Sequence, residues 1–398
     1  MQNRSLVPLI VLSGLIISLC MGLRQSLGLF MRPIGADLGI TAAAFGFSIA
    51  LQNIVWGLAQ PFAGAVADRT GPRPVIFVTS LLFASGLVML MHANAFPGAL
   101  VLAGLLLGVG TTGFSTLYGA INRRADPLKR SQTVGLVAAC GSLGTMVIAP
   151  FGGRLIDGPG WQTGLYVFAA LAAVMAVLAL PINESPARHA HGQRPQNLSL
   201  ALKDALGHPG YRFMTLAFFA CGFQLVFLTT HLPAYLALCG IAPGVGATAL
   251  GLIGLFNAIG TFIFGHLGAR YSQKHLLALI YLLRTAFIVI FLLAPVSAAT
   301  TLVFAAAMGF LWLGVTPLVN GILARVFGLT HFNALFGVVF LSHQVGSFFG
   351  AWMGGLVFDR FGNYNAAWGA LIAIGLAAFT LQWLMSERPL QQAAPQPA

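Results

Sequence analysis

Arg24 and Arg284 stand in predominantly apolar stretches, within Gly22-Leu23-Arg24-Gln25-Ser26 and Tyr281-Leu282-Leu283-Arg284. On the lenient insertion scale a cation inside a bilayer costs roughly 2.5–3.5 kcal/mol, so it normally faces a partner or a cavity. No internal carboxylate offers itself. The eight acids, Asp37, Asp68, Asp126, Asp157, Glu184, Asp204, Asp359 and Glu387, all lie at the ends of apolar stretches, between them or in the tail. Two embedded guanidiniums without an embedded carboxylate point to an anion that arrives from outside. Each also has a structural reading. Arg24 can snorkel to the nearer interface, although at about 1.5 Å per residue from a start near Leu6 it sits beyond the midplane. Arg284 lies near a midplane and is too deep to snorkel, but it can bond helix carbonyls and Asn257. His343, followed by Gln344, is the remaining titratable candidate. An imidazole with an ordinary pKa of about 6.5 exchanges protons at physiological pH, and a lone helical histidine equally serves as a hydrogen-bonded structural group. Gln25, Gln52, Asn53, Tyr118, Asn122, Trp312, Thr316 and Asn320 are further polar or amphipathic groups in apolar surroundings, and His231 is a weaker titratable candidate.

The elements that carry these residues are membrane helices. The chain is 58% hydrophobic and 7% charged, far from the roughly 25% charged residues of a soluble domain. About twelve stretches are long enough to cross ~30 Å of hydrocarbon as helices, near 6–33, 41–66, 74–93, 97–122, 132–156, 162–182, 212–237, 245–268, 276–296, 300–324, 333–357 and 364–386. The first is a span rather than a signal peptide, because its apolar run continues to about residue 30 with no small-residue cleavage site. The four cysteines, Cys20, Cys140, Cys221 and Cys239, show no ligand or disulfide spacing and read as small packing residues.

The net charge of +12 is a topology signal and not a nucleic-acid footprint. With the N-terminus placed inside, fifteen Lys and Arg fall on the inner side and three, Arg32, Arg154 and Arg360, on the outer side. The positive-inside rule then puts both termini in the cytoplasm of a cell whose inner, or plasma, membrane holds the chain.

The chain also repeats. Gly64-Ala65-Val66-Ala67-Asp68-Arg69-Thr70-Gly71-Pro72-Arg73 places a glycine four residues before an aspartate at the exit of a span, and Gly153/Asp157 and Gly355/Asp359 do the same. A fourth copy, Gly265 to Ala269, lacks the acid but keeps the next cation, Arg270. At an offset of 200 to 202 residues Pro33 matches Pro233, Gly64 matches Gly265, Arg123 matches Arg325, and Gly135, Gly144, Gly153 and Asp157 match Gly337, Gly346, Gly355 and Asp359. The expected fold is therefore an all-α integral membrane protein, twelve transmembrane helices in two pseudo-symmetric six-helix bundles. The first bundle covers 1–183 and the second 212–386. Residues 184–211, with a short amphipathic run from Ser199 to Leu206, form a cytoplasmic linker, and 387–398 a cytoplasmic tail.

Parallel halves related by an axis along the membrane normal are a transporter design with substrate held near the midplane between them. The run Gly64-x-x-x-Asp68-Arg69-x-Gly71-x-Arg73 resembles the loop signature of the major facilitator superfamily between helices two and three, with Pro74 at the last basic position. The resemblance implies that this cluster latches the cytoplasmic gate of a rocker-switch transporter. The plainer reading is that it anchors topology. Asp157 and Asp359, on the outer side, are expected to cap outer helix ends. Helices 1 and 7 line the cavity in the resembled fold, so Arg24 and its repeat equivalent Gln224 imply a shared substrate layer. Tyr118 and Asn320 are likewise equivalent. Helix 9, which carries Arg284, is peripheral there. Helix 5 matches the glycine–proline signature of antiporter members only in part, since Ala149 precedes Pro150. Gly104 stands where proton-coupled members often carry an arginine.

The first-helix run from Arg24 through Pro33 and Ile34 to Asp37-Leu38-Gly39 resembles bacterial relatives of monocarboxylate porters. The expected function is secondary transport of a small organic anion, monocarboxylate-like and proton-coupled, the proton travelling on the substrate carboxylate. The alternative is export of neutral or hydrophobic drug-like compounds. No nucleophile–base pair, metal-ligand spacing or phosphate loop supports an enzyme, and no cofactor, metal or nucleic acid is expected. The partners are the bilayer, the anion and H+, and the fold implies a monomer.

Overall fold

The computed structural model describes residues 6–124, 130–182, 198–327 and 332–387. Glu184, Arg188 and Arg194, with half of the linker and most of the tail, lie outside them, as do the side chains of Asn122 and Arg123.

Twelve helices among the described residues are long and apolar enough to cross a membrane. In chain order they are α1 Val7–Leu38, α2 Ala42–Thr70, α3 Pro72–Met91, α4 Ala99–Ile121, α5 Gly135–Asp157 and α6 Trp161–Ala179 in the first bundle. The second bundle holds α7 Pro209–Leu238, α8 Pro243–Arg270, α9 Gln273–Leu293, α10 Ala298–Phe327, α11 Leu335–Phe361 and α12 Asn365–Leu384. Helices are imposed here because hydrocarbon offers no partner to an open backbone N–H or C=O. Their starts are marked locally. Pro72, Pro209 and Pro243 occupy first-turn positions where a missing N–H costs nothing, and Thr41 Oγ1 accepts from Ala44 N at 3.1 Å. At the end of α2 the turn into α3 requires Gly71, at φ +86°. α7 begins three residues before the expected 212, and a short helix, Leu198–Gly207, occupies the amphipathic run before it.

Each bundle is locked by glycine contacts at matching places. A Cβ on Gly144 would stand 2.0 Å from Ser18 O, and one on Gly346 would stand 2.0 Å from Phe219 O. Gly22 and Gly222 face the same two crossings from the other side, at 2.7 Å from Gly144 O and 1.9 Å from His343 O. Thus α1 meets α5, and α7 meets α11, backbone against backbone, the packing that small residues allow in lipid.

The bundles meet along α2 with α11, α5 with α8, and the last turns of α1 with α7. One end of this interface is shut. Opposite the Arg-rich loops, here the far end, Gly28 abuts Thr229 O, Gly46 abuts Ala351 O and Gly355 abuts Ala42 O, all closer than a Cβ would allow. At the basic end the repeat glycines Gly64, Gly135 and Gly337 have open space around them. The halves are parted there by a cavity of about 790 Å³, walled by Trp56, Pro61, Phe114, Tyr118, Phe340 and Leu341 among others.

Asp359, at the end of α11, accepts from Ala42 N at 3.1 Å and Ala43 N at 2.8 Å. It thereby caps α2 across the seal, where the positive helix end favours a carboxylate by roughly 0.3–1 kcal/mol at an exposed site. Asp359→Asn is expected to raise the fraction with an open far end roughly two- to fivefold. The reading is the maleimide labelling rate of a cysteine placed at Ala234, which is 4% exposed, above the background of the native thiols. An unchanged or slower rate would remove Asp359 from the latch.

Besides α1, which passes through a 3-10 turn at Leu27–Phe30, two spans are broken, which the hydropathy pattern does not reveal. α4 is helical over Ala99–Thr111 and again from Thr116, and α10 over Ala298–Phe310 and Val315–Phe327. The breaks are repeat equivalents, but their freed backbone groups are satisfied differently. In α4 local hydroxyls do it: Thr112 Oγ1 donates to Val109 O at 2.7 Å, Ser115 Oγ to Thr112 O at 2.8 Å and Thr116 Oγ1 to Gly113 O at 2.7 Å. In α10 the partners come from neighbouring helices.

Candidate substrate site

Arg24 lies in the last turn of the regular part of α1, two residues before Ser26, which leads into the 3-10 turn Leu27–Phe30. Its Nη2 donates to Asn53 Oδ1 on α2, and its guanidinium lies over the Trp56 ring, 4.6 Å from the centroid. Asn53 is itself fixed, its Nδ2 donating to Ile49 O at 2.8 Å. Trp56 is held by a chain of hydrogen bonds: its Nε1 donates to Gln60 Oε1 at 2.9 Å, and Gln60 Nε2 donates to Ser115 Oγ at the break in α4. No carboxylate among the described residues pairs with Arg24, and its Nε is buried without a partner. A cation oriented by two neighbours and uncompensated on its open side is built to receive an anion.

The open side is a cavity of about 210 Å³ between the bundles, where Arg24 and Gln25 of α1 and Trp56 of α2 face Phe218 of α7, Trp312 of α10, and Phe340 and His343 of α11. Trp56 and Phe340 also line the larger opening to the basic end. Between α2 and α11 the two halves touch at this level through a hydrogen bond from Gln344 Nε2 to Asn53 O at 2.8 Å. That bond turns Gln344 Oε1 toward His343 Nδ1, 3.1 Å away. The shared hydrogen must then sit on Nδ1, which leaves Nε2 as the ring's titrating nitrogen.

The structure therefore brings Arg24, Gln25, His343 and Gln344 together. Tyr118 stands at the larger cavity with its ring against Phe114. Gln224 is corrected: it is fully buried, and its Nε2 donates to Leu371 O on α12 at 3.2 Å, away from the cavity. Gly375 leaves room for that turn, since a Cβ there would stand 2.7 Å from Gln224 Nε2. Arg284 is fully buried behind the wall and does not reach the cavity. Its Nε and Nη2 donate to Leu311 O at 3.1 and 2.6 Å, and Nη2 also to Trp312 O, the carbonyls freed by the break in α10. Asn257 completes the repair by accepting from Leu313 N at 2.9 Å, while its Nδ2 donates to Ser142 Oγ of α5 at 2.8 Å. Of the two sequence readings of Arg284, the geometry is that of carbonyl bonding. Asn320, on the second segment of α10, is half-buried with a buried Oδ1 that has no partner.

The loop-signature residues sit at the basic end. Gly71 makes the turn, and Asp68, Arg69 and Arg73 are exposed. Sequence reasoning passed over Trp56, Gln60, Phe218 and Phe340. A signal was present for two of them, because Asn53, Trp56 and Gln60 fall at helical spacing on one face of an apolar helix. Among the described residues no group of three or more His, Cys, Asp or Glu could hold a metal ion.

Two bundles parted at one end around an embedded cation define a membrane transport protein. The family model of the Major Facilitator Superfamily matches residues 11–351 and 239–398, and the chain belongs to that superfamily. It is 26% identical over 376 residues to monocarboxylate transporter 13 of Rattus norvegicus, covering 92% of this chain and 86% of the relative. It is 22% identical over 393 residues to the oxalate:formate antiporter of Oxalobacter formigenes, covering 94% and 90%. Multidrug resistance protein MdtL of Salmonella heidelberg is 32% identical over 172 residues, 42% of each chain. Among solved structures, the nucleoside transporter NupG superposes with a TM-score of 0.77 at 15% identity, over 95% of this chain and 99% of that one. A bacterial homologue of the lysosomal transporter Spinster gives 0.73 at 15% identity, over 96% and 98%.

Proposed function

We propose that this multi-pass membrane protein is a secondary transporter of a small, monocarboxylate-like organic anion, coupled to protons and working by alternating access. The observation that carries the reading is Arg24, held by Asn53 and Trp56 and facing a cavity between the bundles with no carboxylate to neutralise it. The likeness to monocarboxylate transporter 13 and to the oxalate:formate antiporter supports it.

The basic end is assigned to the cytoplasm of the inner, or plasma, membrane on the Lys and Arg bias, with both termini there and the protein a monomer. The state described is then inward-open. Gly64, Asp68, Arg69, Gly71 and Arg73 form the cytoplasmic gate that closes in the opposite state. The proton travels on the substrate carboxylate or on His343 Nε2, the titratable group nearest Arg24 on the cavity wall.

In proteoliposomes an inward proton gradient is expected to stimulate uptake of a labelled monocarboxylate several-fold over a pH-matched control. A second reading, export of neutral or hydrophobic compounds, draws on the apolar walls of the larger cavity and the partial likeness to MdtL. Vesicles holding folded protein that take up no acid, with or without the gradient, would reject the anion reading in favour of export.

A further inference from the structure

The walls of the cavity specify more than a charge. Six of its lining residues carry a ring: Trp56, Phe218, Trp312, Phe336, Phe340 and His343. Five of these form a continuous surface across both bundles. On α11, Phe336 stacks on Phe340 at 6.2 Å and 23°, and Phe340 on His343 at 5.9 Å and 6°. Phe218 closes on His343 from α7 at 5.1 Å, and Trp56 meets Phe340 edge-on from α2 at 5.3 Å and 77°. The hydrogen bonds through Gln60 and Ser115 fix the Trp56 plane, so the surface is set before any ligand enters.

The polar content is as narrow as the apolar content is broad. Arg24 is the only cation on the described wall of this cavity, because Arg284 is drawn behind it onto the carbonyls of Leu311 and Trp312. A second carboxylate on the ligand would meet only the uncharged groups of Gln25, Thr229, Thr316 and the imidazole of His343, with no second fixed cation to offset its desolvation, a penalty that disfavours it. The volume of about 210 Å³ is below the roughly 300–1,000 Å³ of drug-sized pockets. It fits about one ring beside Arg24, with the larger cavity continuing past Trp56, Phe336 and Phe340.

We infer that the substrate is an aryl monocarboxylate, its single carboxylate on Arg24 and its flat body lying along the surface that Trp56, Phe340 and His343 form, with Trp56 and Phe340 setting specificity. The inference rests on the organic-anion reading and narrows it. Ring-on-ring contact favours an aryl body over an alkyl one of similar burial by roughly two- to tenfold per ring. Trp56 and Phe340 both act here. Dianions lose instead of gaining.

The test is equilibrium binding of labelled phenylacetate to the purified full-length chain in nanodiscs, displaced by unlabelled phenylacetate, acetate, oxalate and 2-phenylethanol. Phenylacetate is expected to bind at least tenfold more tightly than acetate, with oxalate no better than acetate and 2-phenylethanol weaker than phenylacetate. Trp56→Leu and Phe340→Leu should each collapse the phenylacetate-to-acetate ratio toward one, and two variants guard against a folding defect in either. Oxalate or acetate displacing as well as phenylacetate would overturn the aryl assignment while leaving the anion reading intact. Binding of 2-phenylethanol as tight as phenylacetate, or no binding of any acid to protein with a normal thermal melt, would remove the anion reading and the aryl assignment together.

Discussion

Arg24→Gln should cut the uptake efficiency of a monocarboxylate roughly tenfold to a hundredfold, while the amount of folded protein in the membrane stays near that of the native chain. The size follows from the loss of a hydrogen bond to a charged group, about 1.5–3 kcal/mol, at roughly 1.4 kcal/mol per decade. The sparing of the fold follows from placement. Arg24 spends one donor on Asn53 Oδ1, and its removal leaves only that oxygen short of a partner, beside a cavity. Arg24→Lys should recover little. An ammonium keeps the charge, but it cannot span Asn53, the Trp56 face and a carboxylate with one planar fork. Uptake normalised to surface expression, with the apparent KM, is the measurement. Native efficiency in Arg24→Gln would mean that the anion binds elsewhere.

Arg284→Met should do the opposite. Here the guanidinium bonds the carbonyls of Leu311 and Trp312 at a place where the helix has stopped bonding them itself. Without it, two buried acceptors lose their donor at about 1–3 kcal/mol each, and the wall that Trp312 contributes to the cavity loses its support. We expect a thermal midpoint in detergent lower by several degrees and less folded protein. The KM of the molecules that do fold should change less than threefold. A normal midpoint with a sharply raised KM would return Arg284 to the substrate. The pair of substitutions separates two cations that look alike in the sequence.

That likeness shows where sequence reasoning stops. The twelve spans, the two bundles and the glycine crossings were readable because hydrocarbon forces helices and because Gly144/Gly346 and Gly153/Gly355 keep one offset along the chain. The cap that Asp359 places on α2 was readable from its position at a helix exit. Arg284 could not be resolved, since its role depends on where α10 breaks, and neither Gly314 nor Pro317 marks that break in a chain with 48 glycines and 20 prolines. Gln224 was misplaced for a related reason. The repeat aligns it with Arg24, but the two bundles differ in what stands beside that position: Asn53 and Trp56 next to Arg24, and the gap over Gly375 next to Gln224. Duplication fixed the backbone, and the side chains then found different partners.

The far-end seal of backbone pressed on backbone at Gly28, Gly46 and Gly355 also bears on how the medium acts on the cycle. Apart from the Asp359 cap it contains few charges for mobile ions to screen. The basic end, with Asp68, Arg69 and Arg73 exposed and Arg325 paired to Glu387 at 2.8 Å, is dense in them. At physiological ionic strength charges are felt over only about 8 Å, and less as salt rises. In the alternating-access cycle proposed above, added salt therefore weakens closure on the cytoplasmic side more than closure on the other, where it acts mainly on the exposed Asp359 cap. Ionic strength becomes a bias on which face the transporter rests toward, set by the unlike materials of its two gates.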